Sequence, residues 1–597
     1  MKSIRVAVAI LITGLLVLPL AAVSQEVPSP AIRLTTHYVL VDVTVTDKEG
    51  KPVTDLKPQD VVVKENGKVQ KVGSFNLERS AASFSPPVMP ADVYSNRPEY
   101  RMPSGALTIL LIDGLNTSIQ NQAYARQQLI RYVSTQFTPG QPMAVYALTN
   151  RLIRLQDFTT DPVLLRIALE QYRVPIVARS AGDNPAAAAP STAIATGAAT
   201  MHAGPLTAAT SAMANLVAFE QEQTATALQT RIATTLEALR TLARITGGHR
   251  GRKNLIWVSA GFPFALSPEE GATTTTSMAV RMLDPTGPPP LANEGNIGNV
   301  ASAVQQSFLD EIHRTAWLLS EVQTAVYPVD ARGLIGSTLS DASKTGLNES
   351  GLLMMGADYG QHVSSATGSI IDSLQNMKEL ARQTGGRAFV SRNDIDRAVA
   401  LAVQDGGTYY NIGYVSQNKN FDGGFRNIKV EVNRPGMPGL QVRHRMGYFA
   451  IDPVKRKKQQ DTDTTAMVRN IGVDATMVYF DALVSAPQNP GAKAIVPIRF
   501  RVEPTSISWD DGSNNKHRVN IELFAVAISA DGKIASNTGK TIDTELEPAQ
   551  YEQVLKQGLL VPLDVELPPG KYQMRLAVRD NRTGVLGTLT APLTIGP

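Results

Sequence analysis

The stretch Thr108-Ile-Leu-Leu-Ile-Asp-Gly-Leu-Asn-Thr-Ser118 decides the fold class that the sequence predicts. It begins as an apolar run typical of a buried strand. It then passes through an aspartate into a short loop rich in hydroxyl and amide side chains, and a helical pattern follows. In an open α/β sheet, the loop between a strand and the next helix lies at the carboxyl edge, where ligands are commonly held. We therefore expect a binding edge around Asp113.

From residue 107 onwards, short apolar runs alternate with helical stripes. This alternation is typical of a mostly parallel sheet with helices on both faces. The expected strands are Leu107–Ile112, Met143–Leu148, Leu255–Val258, Thr324–Val329 and Arg387–Ser391. The segment Arg151–Gln156 follows the second strand too closely for a crossover, so we expect an antiparallel edge strand there. The predicted fold class is a doubly wound, mostly parallel α/β sheet combined with all-β immunoglobulin-like sandwich domains.

The predicted domain organisation places the α/β domain between β-rich segments. In chain order we expect a signal peptide at 1–24, a β half-sandwich at 31–80, a linker at 81–104, the α/β domain at 105–404, further β strands at 405–452, a linker at 453–470 and a C-terminal β-sandwich at 471–597. Three long insertions rich in small residues interrupt the α/β domain, at 180–214, 266–299 and 333–369. The strands at 405–452 are expected to complete the sandwich that starts at 31–80, and the alternative is two separate small β units.

The N-terminus has the features of an export signal. Lys2 and Arg5 precede an uncharged apolar run, and Ala22-Val-Ser24 supplies small residues for cleavage. An uncleaved membrane anchor is the alternative, but the apolar run is short for a spanning helix. We therefore expect a periplasmic or extracellular protein with no transmembrane helix after signal cleavage.

The composition excludes several function classes. The formal net charge is +4 over 597 residues, so no strong attraction to nucleic acid is expected. The chain has no cysteine, which excludes disulfides, thiolate metal sites and thiol catalysis. Neither a His-Glu-x-x-His motif nor a Gly-x-Ser-x-Gly elbow occurs, so the sequence predicts a protein that is not an enzyme.

Three groups of motifs together resemble one bacterial group, the exported "VWFA-related" proteins frequent in Acidobacteria. They are Val53-Thr-Asp-Leu-Lys-Pro-Gln-Asp60 with Glu65-Asn-Gly-Lys68, then Leu111-Ile-Asp-Gly-Leu-Asn-Thr117, and finally Tyr409-Tyr-Asn-Ile-Gly-Tyr414 with Phe425-Arg-Asn-Ile-Lys-Val430 and Arg445-Met-Gly-Tyr-Phe449. The resemblance spans about residues 34 to 450. It implies a von Willebrand factor type A fold and an envelope location, but no particular ligand.

The resemblance also implies a metal-dependent adhesion site, which is degenerate in this chain. Asp113 and Thr117 match the aspartate and second hydroxyl that hold Mg²⁺ in such a site. Leu115 replaces the first hydroxyl, and Ser259 stands in a Ser-Ala-Gly run where Thr-Asp-Gly is typical. Asn116, Ser118 and the carboxylate of Asp330 are possible substitute ligands, so a weak Mg²⁺ site is one expectation. The other is that Asp113 and Asn116 cap the following helix and tie the turn.

The leading functional expectation is a non-enzymatic protein-binding or adhesion module with a protein partner in the envelope or outside the cell. The expected ligand-binding residues are Asp113, Asn116, Thr117, Ser118 and Ser259. The alternative is a structural scaffold or assembly subunit of the cell envelope, whose sandwiches accept partner strands at their edges.

Overall fold

The structure is a computed structural model, and it describes residues 38–79, 87–97, 100, 106–138, 140–173, 206–249, 251–261, 311–312, 314–333, 374–450, 474–488 and 493–596. The expected signal peptide, the linker at 453–470 and the insertion at 266–299 lie outside these residues. Most of the other two insertions lies outside them as well.

The described chain consists mainly of strands. In chain order they are β1 (Tyr38–Thr46), β2 (Val61–Glu65), β3 (Lys68–Gln70), β4 (Val72–Arg79), β5 (Val93–Ser95), β6 (Leu107–Asp113), β7 (Met143–Leu148), β8 (Leu152–Thr159), β9 (Lys253–Ser259), β10 (Thr324–Asp330), β11 (Thr408–Val415), β12 (Phe425–Val432), β13 (Gln441–Arg443), β14 (Gly447–Phe449), β15 (Phe480–Val484), β16 (Ala494–Val502), β17 (Asp510–Asp511), β18 (His517–Ser529), β19 (Ile534–Leu546), β20 (Leu559–Leu567), β21 (Gly570–Asp580) and β22 (Leu586–Ile595). The helices with defined bounds are α1 (Ile119–Thr135), α2 (Pro162–Gln171), α3 (Leu206–Thr246), α4 (Ile395–Gly407) and α5 (Pro548–Gln557).

These strands form five sheets in the described residues. Their strand orders are β13-β1-β11-β4, β10-β9-β6-β7-β8, β14-β12-β2-β3, β20-β16-β15-β5 and β17-β18-β21-β22, and β19 also pairs with β18. Only the second sheet is mostly parallel: β7, β6, β9 and β10 run in the same direction, and β8 is antiparallel to β7.

The predicted fold class, a doubly wound α/β sheet of von Willebrand type A kind, is wrong. Strand accounts for 43% of the structure and helix for 27%, and four of the five sheets contain only antiparallel pairs. The physical reason is that most strand pairs are antiparallel, many of them between segments far apart in the chain, whereas the sequence argument weighted the βα alternation of one region. The strand expected at Arg387–Ser391 is reduced to a single bridge between Val329 and Phe389, so the mostly parallel sheet has five strands.

The mostly parallel sheet is buried on both faces. On one face, helix α3 packs on β6 and β9 in a cluster that includes Leu236, Leu111 and Trp257. On the other face, α1, α2 and α4 pack on β6 and β7 in a cluster that includes Leu129 and Ile112. All residues of β6, β7, β9 and β10 are buried, as expected of central parallel strands. The strand ends of this sheet are therefore held in fixed positions.

Strands from the two segments that flank this region pair with each other. β11 lies between β1 and β4, and β12 pairs with β2, all antiparallel. Their inward residues, which include Val41, Val63 and Ile412, form one apolar cluster. A Cβ at Gly413 in β11 would lie 2.0 Å from the hydroxyl of Tyr38 and 2.4 Å from Oγ of Ser74, so a larger residue there would force both side chains to move.

The C-terminal unit encloses a large apolar cluster between two sheets. Phe480, Phe500 and Leu576 are fully buried in it. Its first sheet includes β5, which lies within the segment 81–104 that was expected to be a linker. Asn96, directly after β5, donates to the carbonyl of Val478 and accepts from the backbone of Phe480. No helix in the described part of the chain is long and apolar enough to cross a membrane.

Candidate functional site

The candidate site lies where β6 ends. Strands β6 and β9 are parallel neighbours, so their carboxyl ends meet at one edge of the sheet. Asp113 is the last residue of β6, and Ser259 is the last residue of β9. Both side chains are fully buried. The topology thus joins two polar groups that are 146 residues apart in the sequence.

The carboxylate of Asp113 accepts five hydrogen bonds. Its Oδ1 accepts from the backbone N–H groups of Leu115 at 3.1 Å and Asn116 at 2.9 Å. Its Oδ2 accepts from Nδ2 of Asn116 at 2.9 Å, Nε1 of Trp257 at 3.0 Å and Oγ of Ser259 at 2.8 Å. A carboxylate offers about four lone-pair positions. The loop and β9 therefore fill the hydrogen-bonding capacity of this side chain.

This arrangement does not fit a Mg²⁺ ion. Mg²⁺ requires near-octahedral oxygen ligands at roughly 2.1 Å and usually keeps several waters, whereas Asp113 is fully buried and its oxygens already bind donors. Thr117 Oγ1 accepts from the backbone N–H of Ala260 at 3.0 Å. Asp330 accepts from Nε of Arg332 at 2.9 Å. Among the described residues, no group of three or more His, Cys, Asp or Glu side chains is placed to hold a metal ion.

Burial and hydrogen bonding act in opposite directions on the pKa of Asp113. Burial raises the pKa of Asp113 above its ordinary value of 3.8, and the hydrogen bonds from Asn116, Ser259 and Trp257 act in the opposite direction. Ser259 Oγ also lies 2.8 Å from the carbonyl oxygen of Gly261. An ionised Asp113 takes the single hydroxyl hydrogen of Ser259.

Asn116 and Thr117 tie the loop to neighbouring elements. Asn116 Nδ2 also donates to Oγ1 of Thr235 on α3 at 3.0 Å. Thr117 binds the backbone after β9 through Ala260. Asn116 is 5% exposed and Thr117 is 8% exposed, so neither presents much surface to a ligand. The sequence-predicted residues do come together, but as an internal hydrogen-bonded cluster.

Ser118 is the one exposed member of the predicted set. Its hydroxyl accepts from the backbone N–H of Asn121 at 3.5 Å, which makes it the N-cap of α1. Next to it, Ile119 is 46% exposed. Asn150 and Arg151 are exposed in the turn after β7, the other neighbour of β6. We call Ser118, Ile119, Asn150 and Arg151 the rim patch.

Sequence reasoning missed three buried residues that organise this edge: Trp257, Thr235 and Gln122. Gln122 Nε2 donates to the carbonyl oxygens of Gly114 at 2.9 Å and Thr117 at 2.5 Å. One signal was available for Trp257. It lies two residues before Ser259, and alternate residues of a strand share a face. No comparable signal marks Thr235 or Gln122, because their roles depend on how the helices pack.

Gly114 allows the loop to approach α2. A Cβ at this position would lie 2.8 Å from the hydroxyl of Tyr172 and 3.1 Å from the carbonyl oxygen of Leu148. Burial, and next the charge of Asp113, raise the pKa of Tyr172 to about 12, so its hydroxyl keeps its hydrogen at neutral pH. The glycine is thus required by close packing at the rim.

A second buried polar cluster lies at the amino end of β9. Lys253 is 1% exposed, and its Nζ donates to the carbonyl oxygens of His249 at 2.7 Å and Gly251 at 3.0 Å. Burial lowers the pKa of Lys253 to about 7, and the charge of Asp42 opposes this shift. A neutral amine has two N–H groups, which matches the two carbonyl acceptors. This cluster joins the sheet to β1, where Asp42 accepts from Nε2 of Gln323 at 3.1 Å.

Comparisons with known proteins give little further guidance. No family model and no curated protein matches the chain. An aerotolerance-related membrane protein from Bacteroides fragilis is 9% identical, with 50% of this chain and 98% of that chain covered and a TM-score of 0.20. The conserved hypothetical protein BatB from Bacteroides thetaiotaomicron is 10% identical, with 50% of this chain and 97% of that chain covered and a TM-score of 0.20. A β-glucuronidase from Bacteroides uniformis is 13% identical, with 32% of this chain and 19% of that chain covered and a TM-score of 0.14. Such low TM-scores carry no argument about this chain.

Proposed function

We propose that the chain is an exported, non-enzymatic protein-binding module, and that a protein partner in the envelope or outside the cell docks on the rim patch. The observation that carries this proposal is the cluster around Asp113. It links the β6–α1 loop to β9 through the bonds from Trp257 and Ser259, and Thr117 adds a third link. A loop held in this way loses little freedom on binding, which favours recognition.

The chemistry of the edge supports recognition rather than catalysis. The buried carboxylate of Asp113 is committed to five donors, so it has no lone pair for a substrate or metal. The rim patch offers a hydroxyl, an apolar side chain, an amide and a guanidinium. Arginine is enriched in protein interfaces, and Arg151 would face a carboxylate of the partner. This mixture suits a protein surface that is partly apolar and carries acidic residues.

The test is a capture experiment with the mature chain on envelope extract, followed by affinity measurement with each purified candidate partner. We expect Ile119→Asp combined with Arg151→Glu to weaken binding at least tenfold. Val163→Asp is the matched control, because Val163 is 50% exposed at the start of α2 and follows the end of β8, which pairs with the start of β7 at the opposite edge of the sheet. A chelator should leave the affinity unchanged. The proposal would be overturned if the partner bound the rim variant as tightly as the wild type. It would also be overturned if the control variant lost as much affinity as the rim variant.

A scaffold or assembly subunit is the second candidate, and a different feature favours it. Strand β19 has an edge that no described residue pairs with. An unpaired strand edge can accept a strand from another chain. Because the rim patch and β19 belong to different sheets, the two roles need not exclude each other.

A further inference from the structure

Strand β19 is a long edge strand with a regular ladder on one side. It has 13 residues and pairs with β18 without a register shift from Ser536 to Leu546. Among the described residues, no other strand pairs with β19. Its residues are exposed or only partly buried along the whole length. Its second edge therefore makes no strand pairing in the described structure, although β20 of the facing sheet and α5 lie close to β19.

The pairing pattern identifies which backbone groups of β19 are free. The carbonyl of Asn520 on β18 accepts from Asn581 N, on the side of β21. Alternate residues of a strand point their backbone groups to opposite sides. Odd-numbered residues of β18 therefore bond to β19, and Leu523 opposite Lys540 is such a pair. It follows that Thr541 and the other odd-numbered residues of β19 direct their N–H and C=O groups away from β18.

The other long edge strands carry features that block pairing. In the described part of the chain, the other edge strands of eight or more residues are β4, β8, β20 and β22. The ladders of β4 and β8 contain register shifts. β20 contains Pro562 and β22 contains Pro592, and proline cannot donate to a ladder. β22 is also bridged to Thr476. Strand β19 has neither a proline nor a shift over residues 536–546.

Two of the three charged side chains of β19 are paired within the chain. Lys540 reaches β20 in the facing sheet of the C-terminal unit, where its Nζ donates to the carbonyl oxygen of Pro562 at 3.2 Å. Asp543 forms a two-pronged ion pair with Arg518 of β18, at 2.8 Å for both contacts. Edge strands are usually protected by charges that repel an incoming strand. Here the lysine and the aspartate are occupied within their own chain.

We propose that β19 pairs with β19 of a second copy of this chain, antiparallel and about a two-fold axis at Thr541. This register pairs the whole regular ladder, because residue 541 is the midpoint of 536–546. It places no like charges opposite each other: Asp543 faces Gly539 of the second copy, and Glu545 faces Asn537. A two-fold axis at Lys540 or Asp543 would instead oppose two identical charges. The product is a continuous sheet across two copies, as an isologous interface requires.

The test is sedimentation equilibrium of the full mature chain, with twice the monomer mass expected at micromolar concentration. Thr541→Pro removes an outward N–H that β18 does not use, and proline is tolerated on an edge strand. We expect this variant to be monomeric, with a melting temperature close to that of the wild type. Thr541→Val keeps the N–H and should remain dimeric. This pair of variants separates loss of the edge from loss of a side chain.

A second readout checks the register. Because the chain has no cysteine, Thr541→Cys introduces a unique thiol. A short bifunctional maleimide should join two copies of this variant, and it should not join two copies of Lys571→Cys, an exposed position on β21. A wild-type chain that stays monomeric at tens of micromolar would overturn the proposal. A dimer that Thr541→Pro leaves intact would overturn it as well.

Discussion

The indole Nε1 of Trp257 donates a 3.0 Å hydrogen bond to Oδ2 of Asp113, although the register between β9 and β6 pairs Trp257 with Leu111. The indole therefore reaches two residues along the neighbouring strand towards the carboxyl edge. Both residues are fully buried. This contact places the largest side chain of the sheet core directly beneath the candidate site, so the stability of the core and the geometry of the rim depend on the same carboxylate.

Asp113→Asn should destabilise the fold, because the amide places donor hydrogens where three donors now converge on Oδ2. An unsatisfied buried donor costs about 1–3 kcal/mol, so we expect a loss of roughly 2–4 kcal/mol in urea unfolding. Asp161→Asn is the control, since Asp161 is exposed and accepts from the backbone N–H of Val163, a bond that an amide oxygen also accepts. Equal losses in the two variants would contradict a special role for Asp113.

Lys253→Met should change the pH dependence of stability. The amine has a pKa of about 7 in the folded chain and an ordinary value of 10.5 when unfolded. Between these values the unfolded state binds more protons, so Lys253 makes the folded chain more stable as the pH rises from 7 to 10. At about 1.4 kcal/mol per pH unit, the gain is at most about 4 kcal/mol. The measurement is chemical unfolding of both proteins at pH 7, 8, 9 and 10. The free energy of unfolding of the wild type, relative to that of Lys253→Met, should rise from pH 7 to pH 10, and parallel curves would exclude a lowered pKa.

Much of the candidate site could be predicted from the sequence, but its role could not. The apolar run before Asp113 predicted a strand that ends at the carboxyl edge, and β6 ends at that residue. The strand predicted at Met143–Leu148 is confirmed with the same bounds. Whether Asp113 faces solvent depends on Trp257 and Thr235, whose positions follow from sheet register and helix packing. Local sequence patterns carry no information on where residues so far apart in the chain come to lie relative to Asp113.

The fold class failed for a different reason. Strand β19 has polar residues on both faces, so it shows no alternation of apolar and polar side chains, and its extended form depends on pairing with β18. Strand β5 has three residues in a segment rich in proline and serine, and it exists through its pairing with β15. The periodicity of apolar residues does not reveal strands that are held by pairing with a neighbouring strand rather than by burial. Because such strands were missed, the sequence argument favoured an α/β fold.

Magnesium should not stabilise the chain. Because the oxygens of Asp113 already bind five donors and Thr117 binds Ala260, an ion would have to displace several hydrogen bonds. We expect the melting temperature to change by less than about 1 °C at millimolar Mg²⁺ or Mn²⁺. EDTA should also have no effect. A shift that rises with metal concentration and disappears in Thr117→Ala would show that the loop rearranges to bind the ion.

Gly114→Ala should be tolerated poorly, and the cause can be isolated. The added Cβ would lie 2.8 Å from the hydroxyl of Tyr172, closer than ordinary van der Waals contact, so we expect a loss of about 1–3 kcal/mol in unfolding free energy. Gly73→Ala is the control, because the nearest atom to its Cβ would lie 3.6 Å away. A loss of similar size at Gly73 would point to glycine replacement in general rather than to packing at the rim.

Tyr172→Phe should partly rescue Gly114→Ala. The hydroxyl of Tyr172 is buried and has no hydrogen-bond partner among the described residues, so its removal alone should cost little. In the double variant the 2.8 Å contact disappears, while the 3.1 Å approach to the carbonyl oxygen of Leu148 remains. The double variant should therefore lose less free energy than the sum of the two single variants, with a coupling above about 0.5 kcal/mol. Strict additivity would mean that α2 does not pack against the loop in solution, and the rim patch would then lack the rigid support that partner binding requires.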